Sequence, residues 1–253
     1  MFKKDQLLFV VLAGFFISNA LIAEFIGVKI FALEDTLGME PLNWNPSGQA
    51  GSLNFTAGVL LWPIVFIMTD VINEYFGQKG VRILSYLAVG FISYAFIMAY
   101  GAIKLAPAGW WVSSMTENGV ENMQSAFSNI FGQGMWIIVG SLVAFLVGQI
   151  LDAYVFFRVR KWTGDKRIWL RATLSTAVSQ IVDSGVVIYI AFVLGPQQWS
   201  LQQWFDVSTV NYIYKLSAAI LLIPTLYIAH YLIDKYLGKE KAEEMRTLAT
   251  AST

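Results

Sequence analysis

The chain has 253 residues, of which 57% are hydrophobic, 15% aromatic and only 13% charged; its 17 basic and 17 acidic residues balance to a formal net charge of zero. A soluble domain carries about 25% charged residues, so this deficit, with a mean hydropathy of +0.58, indicates an integral membrane protein forming one unit over residues 1–253. The absence of cysteine excludes disulfides and thiolate metal sites, and a single histidine, His230, excludes a multi-histidine metal centre, so most redox and zinc enzymes fall away.

After a basic start, residues 7–28 form the first apolar run, broken by Ser18, Asn19 and Glu24. About 20 apolar residues cross a hydrocarbon core of ~30 Å, so the run predicts a spanning helix. A signal peptide shares the basic start and apolar core, but the run continues past its polar break without an A-x-A site. Residues 29–54, rich in Pro, Gly, Asn and acid, read as a loop with at most short structure of its own. The second span is 55–76, where Pro63 is expected to bend the helix or free a carbonyl, and where Thr69, Asp70, Asn73 and Glu74 gather near the end. A tight basic turn over 77–82 leads into a third span, 81–103. Residues 104–130 form a second polar loop, whose Trp110 and Trp111 suit a headgroup belt. The fourth span, 131–157, is followed by a basic connector, 158–167, and a fifth span, 168–194. A short loop, 195–208, precedes the sixth span, 209–236, which is interrupted by Lys215 and Pro224. The tail from Leu237 is charged and helix-favouring, and is expected to be solvated.

Lysine and arginine placement orients the chain. Lys3, Lys4, Lys79, Arg82, the connector, Arg171 and the tail all fall on the side of the N-terminus; the opposite side holds only Lys29 and Lys104. The fold class is therefore all-α: six transmembrane helices with both termini cytoplasmic. Spans one to three and four to six then run in opposite senses, which permits an inverted repeat, though the two halves share little sequence.

The informative residues are polar ones inside the spans. The fifth span carries Gln180 and Asp183, and the fourth repeats the couple as Gln149 and Asp152. A spacing of three puts each pair on one helix face. A carboxylate at bilayer depth costs at least ~2.5 kcal/mol and turns toward the bundle interior or a watery cavity. Asp183 and Asn19 lie centrally, and Asp183 has no basic residue in reach on its own helix. Asn19, Asp70, Tyr214 and Lys215 complete the candidate site. For Asp70, Glu74 and Asp152 two readings stand, pairing with a nearby arginine or contact with a solute. Lys215 reads as a counter-ion of Asp183 or Glu24, or as a substrate ligand. A carboxylate accepts two parallel hydrogen bonds while Asn and Gln donate and accept. The set therefore matches a guanine-like edge, with N1–H and a 2-amino group as donors and O6 as acceptor, and aromatic faces can sandwich a flat ring. The same groups suit other polar solutes or a proton.

The segments SNALIAEFIGVK, PIVFIMTDVINEYFG, GQILDAYVFFRVR, STAVSQIVDSGVVIYIAF and NYIYKLSAAILLIP together resemble the queuosine precursor transporters, the VUT-type family. The resemblance spans nearly the whole chain in order. It implies a multi-pass importer of the 7-deazapurines preQ0 and preQ1 in the bacterial inner membrane, with an organisation similar to the substrate-binding subunits of energy-coupling-factor vitamin transporters. By position it carries over Asn19, Asp70, Gln149, Asp152, Asp183 and Lys215 as recurring polar positions; Gln180 stands where the family commonly has Asn. It implies no catalytic residue, no cofactor, no metal and no nucleic-acid partner, and leaves a homodimer and an external ATPase module open. No G-x-x-x-x-G-K-[ST] motif is present, so ATP hydrolysis by that route is absent from this chain. A transporter of another vitamin or nucleobase, an intramembrane enzyme using an aspartyl pair, and a membrane scaffold are the rival readings.

Overall fold

The computed structural model describes residues 3–27, 29–43, 53–132, 135–164, 167–195 and 198–251. Parts of the expected loops at 44–52 and 196–197, residue 28 of the first span, residues 133–134 of the fourth, and residues 165–166 of the connector lie outside the described residues.

Helix α1, Lys4–Ile26, is a proline-free apolar run that ends at Gly27. Beyond it a short antiparallel ladder pairs β1, Ile30–Ala32, with β2, Asn54–Thr56, in the register Phe31 to Phe55, and β1 leads into α2, Leu33–Leu37. The expected second span thus begins later than the sequence suggests. A 3₁₀ turn, Ala57–Leu60, precedes α3, Trp62–Lys104. Pro63 sits in the first turn of α3, where its missing N–H leaves no helical bond unmade; it starts the helix rather than bending it. The expected turn over 77–82 contracts to one residue. Gly77 adopts φ 68° and divides α3 into a leg before it and a leg after it, a conformation glycine enters without steric cost.

The second polar loop is partly helical, with α4, Gly109–Val112, and α5, Met123–Phe131, the latter capped by Asn122 accepting from the Ser125 N–H at 2.9 Å. Helices α6, Met135–Thr163, and α7, Ile168–Ile188, lie side by side, and a π-helical turn, Tyr189–Val193, extends α7. A Ser200–Gln203 capping box starts α8, Leu201–Leu221, earlier than position 209. Helix α9, Ile223–Leu237, carries Pro224 in its first turn and meets α8 at a 45° bend. Among the described residues, four helical segments are long and apolar enough to cross a membrane, Lys4–Ile26, Ala57–Lys104, Ile138–Thr163 and Ile168–Val193, and the bent α8–α9 pair counts as a fifth if it is one span.

The bundle is apolar outside, and its hydrophobic core, which includes Phe16, Ile72, Leu84 and Phe156, also encloses polar groups. Val11, Phe15, Phe91, Ile97 and Ile181 are exposed, while Asp70, Glu74, Gln149, Asp152, Arg171 and Gln180 are buried. A soluble protein does not expose such a contiguous apolar surface, and ionisable groups at membrane depth face the bundle interior. Ring contacts set α1 against both legs of α3: Phe9 meets Phe76 at 4.9 Å, and Phe25 stacks on Phe96 at 5.3 Å. Gly58 comes so close to α1 that a Cβ there would stand 2.5 Å from the Ala23 carbonyl oxygen.

The tail departs from expectation. Helix α10, Lys239–Ala251, forms as its composition suggests, but it docks on α3 instead of standing in solvent, burying Ala242, Met245 and Ala249. Arg246 pairs with Asp234 and donates to the Tyr75 hydroxyl at 3.3 Å; Tyr75 in turn donates to Asp234 at 2.7 Å. His230 Nδ1 lies 3.1 Å from the same hydroxyl. The N-terminus joins this face, where Lys4 Nζ donates to the Tyr236 carbonyl at 3.2 Å.

Outside the spans, Glu34 ties the β1–β2 region together by accepting from the Leu53 N–H at 2.9 Å and the Leu42 N–H at 3.4 Å. Burial pushes its carboxyl up, but the hydrogen bonds from its own backbone, Leu53 and Leu42 prevail and leave it below the ordinary range. A carboxyl with a lowered folded pKa stabilises above its unfolded value of about 4.3 and loses that contribution as pH falls through the folded pKa. Amide exchange at Leu53, corrected for intrinsic rate, should therefore stay protected at neutral pH and accelerate on acidification. Glu34→Gln should remove the pH dependence. Protection that persists unchanged in strong acid contradicts this role.

Candidate functional site

The buried polar groups form a seam where the first leg of α3 meets α6 and α7, and it reads as layers. At the basic end, the Glu74 carboxylate accepts from Arg171 at 2.8 Å on both oxygens and lies 3.5 Å from Arg160. All three side chains are at most 3% exposed. Arg160 also donates to the Glu74 carbonyl at 3.1 Å and to the Arg246 carbonyl at 3.0 Å, pinning α6 to α3 and α10. Asn73 and Gln78, on either side of the Gly77 break, both donate to the Ala153 carbonyl.

One layer further in, the Ser179 hydroxyl donates to Asp152 at 3.1 Å, and the carboxylates of Asp70 and Asp152 both face the Ser175 hydroxyl. Next, Thr69 donates to Gln149 Oε1 at 2.5 Å. Gln180 continues the α7 row of Ala172 and Thr176, one turn on. It is fully buried, and both of its amide atoms, with Gln149 Nε2, Asp152 Oδ2 and Asp70 Oδ1, have no hydrogen-bond partner among the described residues. At the far end Asp183 pairs with Lys215 from α8, their side chains 14% and 12% exposed, and Asp183 Oδ1 stands 3.5 Å from where a Gly148 Cβ would be. Glu24 of α1 accepts from the Ser141 hydroxyl and faces Asp183 and Lys215.

Of the eight predicted site residues, Asp70, Gln149, Asp152, Asp183 and Lys215 make contacts along these layers, and Gln180 is placed among them by its buried position on α7. The other two stand apart in their contacts. Asn19 is buried, but its amide donates to Phe15 of its own helix at 2.8 Å, and half-buried Tyr214 packs its ring 4.5 Å from Phe55. Of the open pairing questions, Glu74 takes the arginines. Asp152 takes a serine, since Arg158 donates instead to Tyr154 at 2.9 Å. A cleft is lined by Pro63, Asp70, Thr173, Thr176, Leu222 and Leu226 among others; of the predicted residues it holds Asp70 alone.

Sequence reasoning missed Arg160, Arg171, Ser175 and Ser179. In the sequence both arginines fall at a membrane edge, where surface charge is expected. The signal was present in Arg171, Ser175 and Ser179, which recur every four residues and so share one face of α7 with small polar groups.

The fold and the seam define a helical membrane protein with a buried polar seam inside an otherwise apolar bundle. The family model described as "Putative vitamin uptake transporter" matches residues 56–229, more than half of the chain, and the chain belongs to that family. It is 30% identical over 182 residues to the "Probable queuosine precursor transporter" of Bacillus subtilis (strain 168), covering 72% of this chain and 74% of that one. It is 27% identical over 172 residues to the "Queuosine precursor transporter" of Escherichia coli (strain K12), covering 68% and 71%, and 26% identical over 185 residues to the "Probable queuosine precursor transporter" of Haemophilus influenzae, covering 71% of each. No solved structure matches.

Proposed function

We propose that the chain imports queuosine precursors, the 7-deazapurines preQ0 and preQ1, across the bacterial inner membrane. The single observation that carries the reading is Gln180, fully buried in mid-helix with neither amide atom partnered among the described residues. A buried amide without partners costs about 1–3 kcal/mol, and a flat ligand presenting donors and acceptors removes that cost. In this reading Gln180 and Gln149 bond O6 and the ring nitrogens. Asp183 accepts from N1–H and the 2-amino group once Lys215 swings aside, and Asn19 and Tyr214 close the site from α1 and α8. Asp70 and Asp152 lie one layer deeper and take no part in base contact.

The reading includes six crossings with both termini cytoplasmic. Phe9 against Phe76 and Phe25 against Phe96, with Gly58 at Ala23, favour two antiparallel legs of α3 on either side of Gly77. The shared face of Lys4, Tyr236, Arg160 and Arg246 is rich in lysine and arginine, as a cytoplasmic face is. Neither a second copy nor an ATPase module is needed for this scheme.

The test is uptake of labelled preQ0 and preQ1 by cells that lack their own synthesis, read also as queuosine in tRNA. The expected result is uptake that unlabelled preQ0 and preQ1 suppress and that guanine and vitamins leave unchanged. Suppression by a vitamin alone moves the chain to the rival uptake class, and turnover of the bound compound makes it an enzyme.

A further inference from the structure

The layer beneath the amides holds two carboxylates with no cation in contact among the described residues. Asp70 is 4% exposed and Asp152 1%. Glu74 takes the ion pairs of Arg160 and Arg171, while Arg171 acts on Asp70 only at longer range. Hydroxyls face the pair, Ser175 and Ser179 of α7 with Thr173 and Thr176 beside Asp70 in the cleft, and the α8–α9 side of the cleft contributes apolar Ala219, Leu222, Ile223 and Leu226. Two neighbouring buried carboxylates do not both ionise, because each raises the cost of charging the other. Each also keeps one oxygen without a hydrogen-bond donor, Asp70 Oδ1 and Asp152 Oδ2. Asp70 lines the cleft at the α8–α9 bend.

We propose that Asp70 and Asp152 hold one shared proton and that this pair couples precursor entry to proton entry, an inference that rests on the transport reading above. The proton binds a carboxylate oxygen and leaves from it unchanged, so no other reactant is required. The link to substrate is local. Thr69, next to Asp70 in the chain, bonds Gln149, and Ser179, next to Gln180, bonds Asp152. A base that engages either amide therefore acts on a neighbour of the pair.

The experiment is uptake of labelled preQ0 into proteoliposomes of the full chain under an imposed pH gradient. With one proton per base, one pH unit, acid on the side of entry, should support about tenfold accumulation, and a protonophore should remove it. Asp70→Asn and Asp152→Asn should lose this accumulation yet still exchange labelled for unlabelled preQ0. Infrared spectra of the wild-type protein at neutral pH should also show a protonated-carboxyl band that both variants lack. Uptake indifferent to the gradient, or absence of that band, overturns the coupling and leaves the transport reading standing. Neither uptake nor exchange by folded wild-type protein overturns both.

Discussion

Asp183→Asn should reduce precursor uptake by at least about 100-fold and leave tRNA unmodified in cells that depend on imported precursor. The carboxylate is the one group in the amide layers able to accept two parallel donors from a purine edge. Hydrogen bonds to a charged group contribute about 1.5–3 kcal/mol each, so losing the charge removes about 3 kcal/mol, on the order of 100-fold. The substitution also strips Lys215 of its ion-pair partner. Breaking a buried pair from one side costs about 3–5 kcal/mol; with both side chains slightly exposed, the low end applies here. Folding and recognition separate in the double variant Asp183→Asn, Lys215→Met. It should restore the amount of folded protein in the membrane without restoring uptake. Normal tRNA modification at normal protein level contradicts the assignment of Asp183.

Glu74→Ala should be the most destabilising single change in the molecule. It leaves two guanidiniums, Arg171 and Arg160, facing each other in a region at most 3% exposed. Breaking these buried ion pairs from one side costs about 3–5 kcal/mol, a large share of the about 5–15 kcal/mol that holds a domain folded. The loss extends past the pair, because Arg160 also fastens α10 through the Arg246 carbonyl. Little folded protein should reach the membrane, and what does should unfold at a markedly lower temperature. Arg171→Lys keeps the charge but loses the second nitrogen that donates to the Gly164 carbonyl at 2.9 Å, and should fall between wild type and Glu74→Ala. Unchanged thermal unfolding of Glu74→Ala would show that the cluster contributes little.

The couples Gln149–Asp152 and Gln180–Asp183 were legible because a spacing of three on an apolar helix leaves polar groups one direction to face. The Lys215–Asp183 partnership was open among alternatives, since sequence fixes depth but not which helices touch. Arg160 and Arg171 were read as edge charge for the same reason. Only the packing of α6 and α7 on α3 brings Glu74 to them. Pro63 shows the limit of a residue-type argument, because its effect depends on lying in the first turn of α3 rather than mid-span. In the tail, net polarity hid a stripe of Ala242, Met245 and Ala249, whose spacing of three and four marks one buried face.

The central claim is that the unpartnered amide of Gln180 exists to hold a ligand, and thermal unfolding of Gln180→Leu with and without preQ0 and preQ1 tests it most directly. Replacing an unsatisfied buried amide with an apolar side chain of similar size removes its desolvation cost of about 1–3 kcal/mol. The ligand-free variant should therefore unfold at a higher temperature than the ligand-free wild type. The precursors should stabilise the wild type and leave the variant unmoved. A variant that unfolds earlier than wild type and still responds to the precursors would contradict the account, making Gln180 part of the scaffold and placing the ligand elsewhere.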